Sequence, residues 1–263
     1  MTQRATTLIF IVLTFASIVH AHDTWVQTNA SVVRTRDSVF VDLMLGNHGN
    51  EHRDFKLAGK IDLENCTLEI LAPDGERYDM KDRLVDTGYT PSEGFWQGRF
   101  ATAKPGLYTV AHTRDTLRRN ARSIKSGKTY FVASEQLDRV SESNPGFEKP
   151  LGHALEIVPT SNPVTPMGPG QSIAVQVLYE DKPLAGARIS FIPRGATLSG
   201  EFDKNYERMT GEDGRASYQP KEGNHVLVVA HHTEPDRKGE GYDRTNYSAT
   251  LTVLVPAICP CCD

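Results

Sequence analysis

The sequence predicts an all-β protein, organised as two tandem immunoglobulin-like β-sandwich domains behind a cleaved signal peptide. Three observations support that expectation. Short β-branched and apolar runs recur roughly every 10 to 20 residues. Gly, Pro and Asp separate them, the residues that close turns between strands. The chain also opens with Arg4, a mostly apolar run from Ala5 to Val19 and the small-residue site Val19-His20-Ala21. That is the pattern of a secretory leader, and it is too short and wrongly flanked for a membrane span.

Taken in order, residues 1–21 are the signal peptide and residues 22–150 a first sandwich. Its expected strands are Ser38 to Leu45, Cys66 to Leu71 with the turn Pro73-Asp74-Gly75, Phe95 to Phe100, Gly106 to His112 and Lys128 to Ala133. Asp115 to Lys125 is basic and lacks an apolar stripe, so it reads as a short helix or a solvated loop. The polar stretch from Glu142 to Gly152, with Asn144-Pro145-Gly146 and Lys149-Pro150, reads as a linker. Residues 151–256 then hold a second sandwich, with strands at Leu155 to Val158, Ser172 to Tyr179, Ala187 to Ile192, Arg215 to Tyr218, His225 to His232 and Tyr247 to Val255. Residues 257–263 form a Cys-rich tail.

Composition narrows the function classes. Loss of Arg4 with the leader leaves 28 basic residues against 33 acidic ones, without a basic stripe, so nucleic acid is not expected as a partner. After Ala21 no apolar run reaches the length of a membrane span, so the mature chain is expected to be soluble and periplasmic or secreted. Cys66 stands alone in a strand, whereas Cys259, Cys261 and Cys262 crowd the end. In an oxidising compartment these four allow disulfides, including one from tail to Cys66, or a soft-metal tail. The sequence holds no Gly-x-Ser-x-Gly, His-Glu-x-x-His, P-loop or dinucleotide fingerprint, so an enzyme is not the first expectation.

Cleavage after Ala21 makes His22 the mature N-terminus. A terminal histidine presents its α-amine and its imidazole Nδ1 to one metal ion, an N,N chelate suited to Co, Ni, Cu and Zn over Mg or Ca. His48 and His52 lie four apart in the glycine-containing loop Gly-Asn-His-Gly-Asn-Glu-His, where two imidazoles and Glu51 can meet around an ion. His231 and His232 end a strand and therefore face opposite sides of it. His112 shares a strand face with Tyr108 and Val110 and reads first as a satisfied core-edge histidine. His153 and His225 read as surface residues. The candidate metal set is accordingly His22, His48, His52, His112, His231 and His232, with Asp23 and Glu51 as neighbours able to orient them.

From Leu151 the chain reads Leu-Gly-His-Ala-Leu-Glu-Ile-Val-Pro, then Val-Gln-Val-Leu-Tyr-Glu and Lys-Pro-Leu-Ala-Gly-Ala. This segment, with His22, Asp23 and Trp25 and with Gly46-Asn47-His48, resembles the DUF4198 family, exported proteins related to periplasmic components of cobalt and nickel uptake systems. The block from Gly211 to Ala230 is similar to transthyretin-like or carboxypeptidase-regulatory sandwiches. The Cys-rich tail is not part of the family pattern. The resemblance implies a β-sandwich and transition-metal handling. The leading expectation is a periplasmic nickel- or cobalt-binding protein that delivers or buffers the ion, with a membrane metal transporter as a partner. The alternatives are a copper carrier or copper monooxygenase built on the terminal histidine, and a non-catalytic cell-surface module whose histidines are incidental.

Overall fold

The structure, a computed structural model, describes residues 22–46, 62–88 and 94–257. Its centre is a nine-stranded sheet in the order β14 (Glu207–Met209), β13 (Arg188–Pro193), β16 (Asn224–Glu234), β17 (Arg244–Val255), β9 (Ala121–Ser134), β8 (Gly106–Arg118), β4 (Cys66–Leu71) and β5 (Arg77–Asp79), with β2 (Val32–Arg34) also paired to β9. A four-stranded sheet of β1 (Asp23–Thr28), β3 (Ser38–Gly46), β7 (Trp96–Ala101) and β6 (Leu84–Asp86) lies on what we call the upper face. The lower face carries β10 (Leu155–Pro159), β11 (Ile173–Tyr179) and β12 (Lys182–Pro183), with β15 (Arg215–Tyr218) paired to β11. The protein is therefore all-β and sandwich-like, as expected. Among the described residues no helix is long and apolar enough to cross a membrane.

Side-chain alternation explains the layering. On β9, Phe131 and Ala133 enter the upper core with Val26, Val41, Leu43, Leu68 and Val110. Their neighbours Tyr130 and Val132 enter the lower core with Ile157, Val175, Phe191, Val228 and Leu251. A strand covered on both sides is apolar on both faces, which is why the runs in β9, β16 and β17 read as continuous rather than alternating.

The central sheet takes strands from both sides of the linker. β17 runs parallel to β9, pairing Arg244 with Ala121 through Thr252 with Thr129. The same ladder settles the stretch from Asp115 to Lys125, which is neither helix nor loop. It is the closing half of a long β8–β9 hairpin, paired from Gly106↔Ala133 to Arg118↔Ala121. Its charges are matched across the hairpin, where Arg122 donates to Asp115 at 3.0, 3.1 and 2.5 Å. A ladder of backbone hydrogen bonds with β17 on its free side outweighs the missing apolar stripe.

Candidate functional site

The site is built around the start of β1, and β1 is held unusually. Its odd side chains lean toward β16 and β17: Asp23 meets Ser248 and His231, and Trp25 packs with Leu227 and Val229. Its even side chains lean toward β8, with Thr24 on His112 and Val26 in the upper core. The strand thus rests on the central sheet by its backbone. Gly127 makes room for it, because a Cβ there would lie 2.8 Å from Thr250 Oγ1, 3.6 Å from Trp25 Cα and 3.7 Å from the Thr24 carbonyl oxygen. While β1 pairs with β3 along one edge, the carbonyls of His22, Thr24 and Thr28 are met by side chains. The Lys125 ammonium donates to the His22 carbonyl, Thr250 Oγ1 to the Thr24 carbonyl at 2.9 Å, and His225 Nε2 bonds the Thr28 carbonyl at 3.2 Å.

Beneath the first residues of β1 the central sheet turns polar. Register partners point to the same face, and Cys66, Arg114, Lys125, Ser248 and His231 follow one another across five strands as such partners. One row further in, the corresponding residues are Leu68, His112, Gly127, Thr250 and Val229. The apolar core therefore gives way to a charged row where the mature chain is expected to begin.

Asp23 is the anion of this region, 2% exposed. Its Oδ1 accepts from Ser248 Oγ at 2.5 Å, and both carboxylate oxygens lie 3.0 Å from His231 Nε2. The Asp23 charge holds the His231 pKa above the ordinary histidine value against the opposing effect of burial. The His231 side chain is half-exposed, so solvent screens part of that attraction. Lys125 is 5% exposed, and burial lowers its pKa against the attraction of Asp23. Cys66 is buried, and desolvation pushes its thiol up to about 11, so it stays protonated at neutral pH.

The expected ligands are distributed as follows. His22 is half-buried with its carbonyl clamped by Lys125, and the alternation of β1 continued back one residue places it on the Thr24 side. His112 is fully buried on that side, with Nδ1 2.8 Å from the Thr67 carbonyl and Nε2 3.1 Å from Thr24 Oγ1. Both ring nitrogens are engaged, and burial pushes its pKa down to about 4, so it is the satisfied core histidine the sequence suggested. His231 lies across β1 on the odd side. His232 points to the lower face, stacked 4.3 Å from Tyr179 with Nε2 3.0 Å from Glu234. His48, His52 and Glu51 lie outside the described residues, as do Cys259, Cys261 and Cys262.

Among the described residues, no group of three His, Cys, Asp or Glu side chains is gathered closely enough to hold a metal ion. His153 and His225, expected at the surface, are half-buried instead, and His153 Nδ1 is sealed from solvent without a hydrogen-bond partner. Sequence reasoning passed over Lys125 and Arg114. The signal available for them was a run of basic residues interrupting two long strands, which is indistinguishable from a solvated face without the partner strands.

No curated protein matches the chain. Among solved structures it is similar to a DUF4785 family protein from Legionella pneumophila at 12% identity, over 78% of this chain and 52% of that one, with a TM-score of 0.29. It is also similar to the adhesin InvE of Yersinia pseudotuberculosis at 11% identity, over 88% and 58% of the two chains, with a TM-score of 0.22. The chain spans little more than half the length of either. Its residues 19–234 match the model of DUF4198, a domain of unknown function, and the chain belongs to that family.

Proposed function

We propose that this is an exported protein that binds a divalent transition metal, nickel or cobalt before copper, through the N-terminal residue His22, and delivers or buffers the ion for uptake. The observation behind the reading is the fixation of residue 22. Chain termini ordinarily fray. Here the residue expected to become the terminus is anchored by a buried lysine on its carbonyl and is followed at once by a buried, fully bonded aspartate.

The donor chemistry fits such an ion. The α-amine and imidazole of His22 are two nitrogens on one residue, suited to Ni, Co or Cu. A bound ion would supply Lewis-acid chemistry or be passed on as cargo. The chain's part is positional: Lys125 fixes the peptide group of His22, and Asp23 holds Ser248 and His231 without joining the donor set. His48 follows Gly46, the register partner of Asp23, by two residues in the sequence.

The test is a calorimetric titration of Ni(II), Co(II) and Cu(II) into the chain beginning at His22, beside a form retaining Ala21 and a His22→Ala form. Tenfold or greater loss of affinity in both altered forms is the expected result. Equal binding by all three removes His22 from the reading. A non-catalytic surface module would then lead, a reading favoured by the engagement of the His112 and His232 side chains within the fold.

A further inference from the structure

Resting on that reading, we propose that the protein takes its metal as a complex with a small carboxylate-bearing chelator and that Arg114 binds the carboxylate. Arg114 is a cation of the upper face without an ion pair among the described residues. It is half-buried, its Nε is sealed from solvent, and that atom has no hydrogen-bond partner. Arg77 is bonded to Glu69, Arg122 to Asp115, Arg188 to Glu207 and Arg237 to Glu180, while Arg194 donates to Gln27. Among the described residues Arg114 has no such carboxylate paired with it. Its neighbour Cys66 is a neutral thiol, and its register partner on β9 is Lys125, a second buried cation. The one carboxylate at the start of β1, Asp23, is bonded to Ser248 and His231 on the other side of that strand.

Lys125 touches the His22 carbonyl, and Arg114 sits one strand farther along the same row, so two cations follow one another in the row beneath residue 22. Their charge weakens the hold of His22 on a bare divalent ion. A metal already held by a polycarboxylate is neutral or anionic, and its free carboxylate suits a guanidinium whose Nε donor is unused. Such a complex also brings its own oxygen ligands, so the two nitrogens of His22 are enough protein donors. Among the described residues, that is what the start of β1 supplies.

The experiment uses three probes, Ni(II) alone, citrate alone and preformed Ni(II)–citrate, titrated into the chain beginning at His22 and into its Arg114→Gln, Arg114→Lys and His22→Ala forms. The expected result is tighter binding of Ni(II)–citrate than of either component. Arg114→Gln should weaken binding of the complex about tenfold or more, Arg114→Lys should weaken it less, and Ni(II) alone should be unaffected or bound more tightly by Arg114→Gln. Thermal unfolding should show Arg114→Gln folded and at least as stable as the parent, since it loses an uncompensated charge. Equal affinity of parent and Arg114→Gln for Ni(II)–citrate overturns the inference while leaving the His22 reading intact. Binding of citrate through Arg114 with no dependence on His22 or nickel overturns the metal-complex form, and equal binding of Ni(II) alone by parent and His22→Ala overturns the metal reading as well.

Discussion

Two lysines three residues apart on β9 show how differently this fold treats a buried charge. Lys128 points to the lower face, where its ammonium lies 2.6 Å from Glu156, with both side chains at most 2% exposed. Glu156 also accepts from the backbone N–H groups of Leu151, Gly152 and His153 at 2.7, 3.0 and 3.0 Å. Lys125 points to the upper face and donates to a carbonyl, that of His22. The first lysine is matched by a full counter-charge in a ring of donors and joins β9 to the segment leading into β10. The second has a neutral acceptor and sits beside another cation. Lys128 has its counter-charge in direct contact, whereas Lys125 has only the attraction of Asp23, which is bonded to Ser248 and His231.

Breaking the compensated pair should have the largest effect. Glu156→Gln leaves Lys128 buried without its counter-charge, and the expected cost is about 3–5 kcal/mol in urea unfolding. Lys128→Met should cost less, because Glu156 keeps its three backbone donors. If Glu156→Gln unfolds at the parent's urea midpoint, the pair is not what joins the two faces and the contrast between the lysines dissolves.

The upper face has a compensating rule of its own, at His112. Its folded pKa of about 4 lies below the ordinary 6.5, so protons favour the unfolded chain. The stability it contributes is complete above pH 6.5 and is lost as pH falls from there to about 4, roughly 3 kcal/mol over that window. His153 and His225 are shifted the same way by burial and add to the slope. His231, whose pKa Asp23 raises, works in the opposite sense and loses its contribution as pH rises through its raised value. Comparing unfolding free energies of the parent and His112→Asn at pH 7 and pH 4.5 isolates the term. The variant should show a visibly flatter acid limb, and parallel limbs would mean that His112 is already solvated in the folded chain.

Much of this fold was legible because local pattern and final structure agree. The run Cys66 to Leu71 is a strand with those ends, and the Pro73-Asp74-Gly75 turn closes with Gly75 at φ 87°, a backbone conformation that favours glycine. The opposite facing of His231 and His232 followed from the two-residue period alone. What stayed hidden depends on partners distant in sequence. Asp115 to Lys125 is strand through the β8–β9 hairpin, and its β9 half, from Ala121, is also held by β17 from more than a hundred residues later. The charged row under His22 exists only once five strands are in register, so nothing local in the sequence marks Arg114, Lys125 and His231 as neighbours. The core-edge reading of His112 rests on a simple rule, that a histidine on an apolar strand face finds its partners inside. Both its ring nitrogens are so engaged, although the same residue also stood in the candidate metal set.

Lys125→Met sharpens the comparison most finely, because the fold and the site should respond to different extents. Removing the ammonium leaves the His22 carbonyl without a donor in a mostly buried setting, at an expected cost of about 1–3 kcal/mol. That is smaller than the cost of Glu156→Gln, since no opposite charge is stranded. The methionine retains most of the apolar length of the lysine stem. Metal affinity should fall further than stability does, because the peptide group of His22 is then free to rotate and the two donor nitrogens lose their fixed relation to the row beneath. Calorimetric titration of Ni(II)–citrate beside thermal unfolding reads both quantities on one sample. A variant that loses stability yet binds the complex as the parent does would make Lys125 a second architectural lysine, differing from Lys128 only in the acceptor it was given.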